Sequence, residues 1–321
     1  MSKISKTSDQ STSLLLASHE ELLKVLPTKT SNTLTERLDG PGLKHFALHW
    51  LFILVFGVLI YLQIPGWQII MVPQGISIVF LFTLLHETVH QTPFRTRWVN
   101  DIVAKICGFM IFLPVTWFKY FHLAHHRHTQ VPGKDPELEV EKPKSIGTYV
   151  WYVSGIPTWV GHCKTIIKNT FGYCTTDFIP KKAESRIVKE SRLLVLLYII
   201  VFFSAYWVEF SILFWIWIFP LLLGQPFLRV YLLAEHGFCP FVANVLENTR
   251  TTFTNRLVCF LAWNMPYHTE HHINPMVPFH KLPDLHVIIR DQLRYTENGY
   301  IAFTNDYVKK LNKALIKLSA S

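Results

Sequence analysis

Four long apolar runs constrain this chain more than any other feature. Residues 45–64, 67–90, 193–208 and 211–234 contain a single Lys or Arg among them, Arg229. A helix needs about 20 apolar residues to cross about 30 Å of hydrocarbon, and there every backbone N–H and C=O must be paired inside the segment. Each run therefore predicts a transmembrane helix. The predicted fold class is all-α: a polytopic membrane helical bundle of four transmembrane helices with interfacial helices and a cytoplasmic histidine-rich cap. The third run is short and passes into the fourth through Glu209. Runs one and two, and runs three and four, then form hairpins whose outer turns, near 63–66 and 207–211, hold no Lys or Arg.

The rest of the composition agrees. Half of the 321 residues are hydrophobic and only 17% are charged, below the usual quarter. The net charge of +9 comes from 31 basic residues, 30 of which lie outside the runs. By the positive-inside rule both termini and the large middle segment are cytoplasmic, and the basic residues form a membrane-facing collar, not a nucleic-acid patch. Five cysteines without a CxxC pair exclude a disulfide framework and a cysteine-ligated cluster. Residues 1–44 read as a flexible cytoplasmic tail with one short helix near 20–26, residues 45–290 as the membrane domain with its cap, and residues 291–321 as a partly helical C-terminal tail. Two further apolar stretches are interrupted: 102–118 by Lys105, Gly108 and Pro114, and 148–167 by glycine and proline. Both are expected to be interfacial or re-entrant.

Sixteen histidines are about one residue in twenty, and they are clustered. His86 and His90 form an HxxxH box at the inner end of the second run. His122, His125 and His126, then His268, His271 and His272, form two HxxHH boxes, and His236 closes the fourth run. At i, i+3 and i+4 of a helix, side chains share one face, so each box aims its imidazoles at one place. A given HxxHH is expected by chance roughly 0.04 times in such a chain, so two are a signal. An even number of crossings separates the first and third boxes, which puts all nine rings at one depth on one face. Nine neutral imidazoles exceed the capacity of one ion and suit two. Imidazole accepts Fe, Zn, Cu or Ni, and a position beside hydrocarbon favours iron with redox oxygen chemistry. Glu87, Glu235, Asp101 and Glu270 are candidates to accept the outer N–H of these rings.

The boxes HETVH, HLAHH and HTEHH resemble those of the integral-membrane fatty acid desaturase and hydroxylase superfamily, and the stretch NMPYHTEHH is similar to the third box of its acyl-lipid and sphingolipid branch. The resemblance implies a four-span protein in which His86, His90, His122, His125, His126, His268, His271 and His272 bind two iron ions, with His236 as an additional ligand. It implies O2 as co-substrate, a lipid-like acyl chain as substrate and desaturation as the reaction. The two further electrons would come from an external donor, a ferredoxin or a cytochrome b5-like protein. The chain departs from some acyl-CoA desaturases in having Leu232 where those carry Asn one turn before the extra histidine.

Three alternatives stand beside this reading. A lipid or carotenoid hydroxylase would use the same scaffold. HETVH also matches the HExxH of an intramembrane zinc protease, in which Glu87 would be a general base, but that leaves boxes two and three without a role. A metal transporter would spread histidines across the spans instead of gathering them at one depth.

Overall fold

A computed structural model of the chain describes residues 18–207 and 211–319. Helices α1 (His19–Val25), α2 (Thr28–Leu34) and α3 (Asp39–Tyr61) open it. A tight turn, with Gln63 and Gly66 in the left-handed region, reverses the chain into α4 (Trp67–Val79) and α5 (Leu81–Val89). Helices α6 (Arg97–Met110) and α7 (Val115–His128) follow, then α8 (Ile146–Val153), α9 (Ile156–Thr170) and α10 (Lys181–Trp207). A π-helical turn, Phe214–Ile218, leads into α11 (Phe219–His236). The described residues then form α12 (Val245–Asn248), α13 (Arg256–Leu261), α14 (His268–Ile273), α15 (Leu282–Ile289) and α16 (Tyr300–Ser319). The strands are β1 (Thr251–Thr252) and β2 (Thr296–Glu297), a two-residue parallel pair with Thr251 opposite Thr296.

The chain is thus mostly helical, with three to four candidate membrane spans. The runs Thr28–Tyr61, Trp67–Val89 and Phe214–His236 are long and apolar enough to cross a bilayer. The fourth candidate is the pair α6 and α7, bent by 102°, so the 102–118 stretch is a broken element. The predicted third span, 193–208, forms the C-terminal half of α10 up to residue 207 and is not among these candidates. Its apolar side chains, including Leu196, Ile199, Ile200 and Phe203, are exposed like those of α3. Contiguous exposed apolar faces of this size suit lipid, not water. The predicted outer turn near 207–211 lies mostly outside the described residues.

Two contacts set the frame. The first is between α4 and α11. A Cβ on Gly75 would stand 1.9 Å from the Pro220 carbonyl oxygen, and one on Gly224 would stand 2.3 Å from the Gly75 carbonyl. Only a missing side chain lets the two backbones meet, the usual way that helices associate where lipid removes a hydrophobic drive. Gly75 and Gly224 are where the backbones of α4 and α11 meet. The second contact repairs the α6–α7 bend. Breaking a helix frees carbonyls that hydrocarbon cannot satisfy. Tyr198 Oη of α10 donates to the Phe109 carbonyl at 2.8 Å, and Trp217 Nε1 donates to that of Met110 at 2.8 Å. Phe109, Phe112, Tyr198 and Trp217 stack around these bonds.

The short helix expected near 20–26 is α1 and the helical part of the C-terminal tail is α16. Residues 28–44, expected to be flexible, form α2 and the first turn of α3. Leu22 and Leu34 are buried, and α1 packs on the box-three helix α14. Leu22 and Leu34 give each of these short helices an apolar contact that the Ser- and Thr-rich composition obscured. Helix α16 likewise packs Phe303, Tyr307 and Leu311 against Leu233 and Ala234 of α11. Replacing Gly75 with Ala should cost about 1–3 kcal/mol through overpacking. The thermal midpoint in detergent is expected to fall accordingly, whereas Gly147→Ala, with nothing within 4 Å of the new methyl, should leave it in place.

Candidate metal centre

The box spacings place three short helical faces around one point. His86 lies on α5 and His90 caps its end; His122, His125 and His126 lie on α7; His268, His271 and His272 lie on α14; His236 is the last residue of α11. Eight of these rings are buried and His126 is half-buried. The structure therefore brings together all nine histidines that the sequence singled out.

They form two groups. His86, His90, His122, His126 and His271 each offer a ring nitrogen within 4.8 Å of all the others, and so do His125, His236 and His272. His268 adjoins the second group, with its Nε2 3.2 Å from His236 Nε2. The groups abut where His126 and His272 stack, centroids 4.1 Å apart. Facing Nε2 pairs recur: His90 and His122 at 2.9 Å, His126 and His271 at 3.2 Å. Two nitrogens bound to one ion by bonds of about 2.1 Å stand about 3.0–3.4 Å apart at octahedral to tetrahedral angles, so these separations fit a shared metal. The inward Nε2 of His272 is buried without a hydrogen-bond partner, as is Nδ1 of His86. A set of imidazoles with unused inner nitrogens fits a metal with nitrogen ligands.

The outer nitrogens explain the aim. His125 Nδ1 donates to Asp135 at 3.0 Å and also faces Glu137 Oε2 at 3.2 Å. His236 Nδ1 donates to the Asn248 carbonyl at 2.9 Å, and His272 Nδ1 lies 3.2 Å from Thr129 Oγ1. Asn248 in turn donates to the Thr129 carbonyl at 2.9 Å, tying α12 to the end of α7. Such partners fix tautomer and ring orientation. Asp135 also accepts the amides of Gln130 and Glu137. Burial alone would raise its carboxyl, but the bonds from His125 and these amides outweigh burial and hold it below the usual range. His268, His271 and His272 are held well below the ordinary imidazole value, first by burial and then by neighbouring cationic or imidazole groups, and so stay neutral, the form that ligates.

Of the acidic residues named from sequence, two lie at the centre. Glu87 Oε1 is 3.4 Å from His271 Nδ1, and Glu235 Oε1 is 3.4 Å from His268 Nδ1, within ion-pair reach but not aligned as hydrogen bonds. The other oxygen of Glu87 accepts Thr92 Oγ1 and the Phe279 amide, each at 3.1 Å. Glu87 thus stands buried behind the His271 ring, with one oxygen held by Thr92 and Phe279 and the other facing the imidazole. Glu270 instead bonds His286 and Thr251, stapling α14 to α15 and β1. Asp101 accepts from Gln91, away from the imidazoles. Sequence reasoning missed Asp135, Asn248 and Thr129; the available signal for Asp135 was an Asp-Pro pair opening a turn after Gly133.

Asp135→Asn keeps the shape but removes the charge behind His125. It is expected to weaken metal retention about 10–100-fold, read as metal per chain after dialysis against graded chelator, with the helical content unchanged.

A family model described as fatty acid desaturase matches residues 64–304, most of the chain and all three boxes. Among curated proteins, the chain is 32% identical over 114 residues to a fatty acid conjugase of Calendula officinalis, covering 35% of this chain and 30% of that one. It is 31% identical over 86 residues to a beta-carotene 4-ketolase of Haematococcus lacustris, 25% of each chain. It is also 31% identical over 80 residues to an endoplasmic reticulum omega-6 fatty acid desaturase of Glycine max, 25% of this chain and 20% of that one. The matched stretches thus span less than a third of the length of these relatives.

Proposed function

Because the chain belongs to the fatty acid desaturase family, an integral-membrane oxidoreductase family, we propose that it is an O2-dependent diiron enzyme that introduces a C=C bond into the alkyl chain of a lipid. The observation that carries this reading is the convergence of nine imidazoles in two adjoining groups, six of them in facing Nε2 pairs. We assign His86, His90, His122, His126 and His271 to one iron, and His125, His236, His268 and His272 to the other. When bound, the iron pair supplies the redox chemistry with O2 that side chains lack. Taking two hydrogens from the alkyl chain yields two electrons, and reducing O2 to two waters takes four. The remaining two come from an external donor protein such as a ferredoxin or a cytochrome b5-like carrier.

The residues of the chain perform the holding, aiming and drying. Asp135, the Asn248 carbonyl and Thr129 set three rings; Glu87 and Glu235 back two others. The apolar packing around the boxes excludes water from the reacting carbon. An apolar cavity of about 570 Å³ between α3, α4, α11, α13 and α16 supplies the slot for the alkyl chain, with Phe52, Phe56, Pro73, Phe80, Tyr231 and Tyr300 among its walls. Tyr231 lies one helix turn before Glu235 on α11, so the slot lies beside the helix that ends in Glu235 and His236. We place both termini and the centre on the cytoplasmic face, a reading supported by the 30 of 31 basic residues that lie outside the apolar runs.

The test is expression in a host that lacks its own desaturase, with lipid profiling by mass spectrometry. Desaturation predicts products lighter by about 2 Da, absent when His125 or His271 is Ala. A gain of about 16 Da would assign the chain to hydroxylation, and unchanged lipids with a competent electron supply would contradict the proposal.

A further inference from the structure

Arg229 is the one basic residue inside the apolar runs, and a charge at membrane depth is retained where something pairs with it. It leaves α11 toward α8, its guanidinium carbon 6.0 Å from the Tyr152 ring centroid. Its Nε is buried without a hydrogen-bond partner, and the same holds for Lys142 Nζ, Trp159 Nε1 and His162 Nδ1. These groups are neighbours. Trp159 and His162 meet edge to face at 5.6 Å, and Arg229 is close enough to act electrostatically on His162, Tyr152 and Glu235. Lys142, in the link before α8, acts on Glu235 and Glu137. Those carboxylates are turned toward imidazoles: Glu137 lies 3.2 Å from His125 Nδ1 and Glu235 lies 3.4 Å from His268 Nδ1. Neither closes on Lys142 Nζ or Arg229 Nε.

We propose that this cluster of buried donors where α8, α9 and α11 meet binds an anionic head, carboxylate or phosphate, at the end of the lipid substrate. The inference deepens the reading of the histidine centre as acting on an alkyl chain, and rests on it. A guanidinium Nε and an ammonium that lack hydrogen-bond partners are costly to bury, and a planar guanidinium matches the in-plane lone pairs of a carboxylate or phosphate. A purely structural Arg229, stapled to Tyr152, leaves Lys142 Nζ, Trp159 Nε1 and its own Nε unexplained. Arg229 precedes His236 by seven residues on the same helix, about 10 Å along the axis at 1.5 Å per residue. An anion held there fixes the polar end at a set distance from the centre, so the reacting carbon is counted from that end.

The test is equilibrium binding to the full-length protein in neutral detergent micelles, titrating oleate, oleoyl lysophosphatidate and neutral oleyl alcohol. At least one anionic lipid is expected to bind about tenfold or more tighter than the alcohol. A preference for oleate identifies a carboxylate head, and one for the lysophosphatidate identifies a phosphate head. Arg229→Gln and Lys142→Gln should each remove that advantage, Arg229→Lys should restore part of it, and Lys134→Gln at the exposed surface should keep it. Lys142 lies in a loop, so its variant reports even if the membrane-embedded Arg229→Gln does not fold. Equal binding of all three lipids, or an advantage that survives both neutral variants, overturns the inference. The measurement needs neither iron nor turnover. Retained anion preference in a chain that fails to bind iron would sink the diiron reading alone, and normal turnover without the preference would sink this one alone.

Discussion

Burying nine imidazoles against one another is the constraint on which the rest of the structure depends. Burial penalises a protonated ring, so apart from His125, which faces Asp135 and Glu137, the cluster favours neutral rings whose inner nitrogens have something to bind. Neutrality in turn demands that each ring know which nitrogen keeps its proton. The outer partners supply that instruction, through Asp135 for His125, the Asn248 carbonyl for His236 and Thr129 for His272. The chain around the boxes can be understood as the machinery that delivers these partners.

The delivery is mechanical. Box one and His236 sit at the ends of elements whose depth is fixed by the Gly75–Gly224 contact, since that contact sets how far α4 can slide along α11, and Glu270 staples box three on α14 to α15 and β1. Box two rides on α7, whose angle is fixed by the 102° bend after α6. That bend survives in an apolar setting because Tyr198 and Trp217 take up the freed carbonyls of Phe109 and Met110. A broken helix and a glycine seam therefore place three short helical faces around one point.

How much of this was legible depended on range. The ligand boxes were readable because helix geometry converts local spacing directly into a shared face, and His236 was readable because it ends an apolar run before Gly237. Glu87 and Glu235 were readable for the same reason, being adjacent in sequence to the rings of their own elements while serving rings from another. Asp135, Asn248 and Thr129 were not, because turns and tertiary packing bring them to their rings. Likewise Glu270 was drawn away by Thr251 and His286, partners that sequence spacing does not reveal. The helical repeat exposed the apolar runs, and Gly108 and Pro114 marked the interruption of 102–118, but nothing local showed that α1 would pack on α14. Composition describes a segment; it does not say what the segment will find to bury against.

The central claim concerns what the inward nitrogens hold, and X-ray absorption on the purified chain, with metal stoichiometry measured on the same sample, addresses it directly. The account predicts about two iron ions per chain, in a first shell of imidazole nitrogens without sulfur, as expected for a donor set of histidines alone. One zinc per chain, or a metal bound chiefly through oxygen or sulfur, would contradict it.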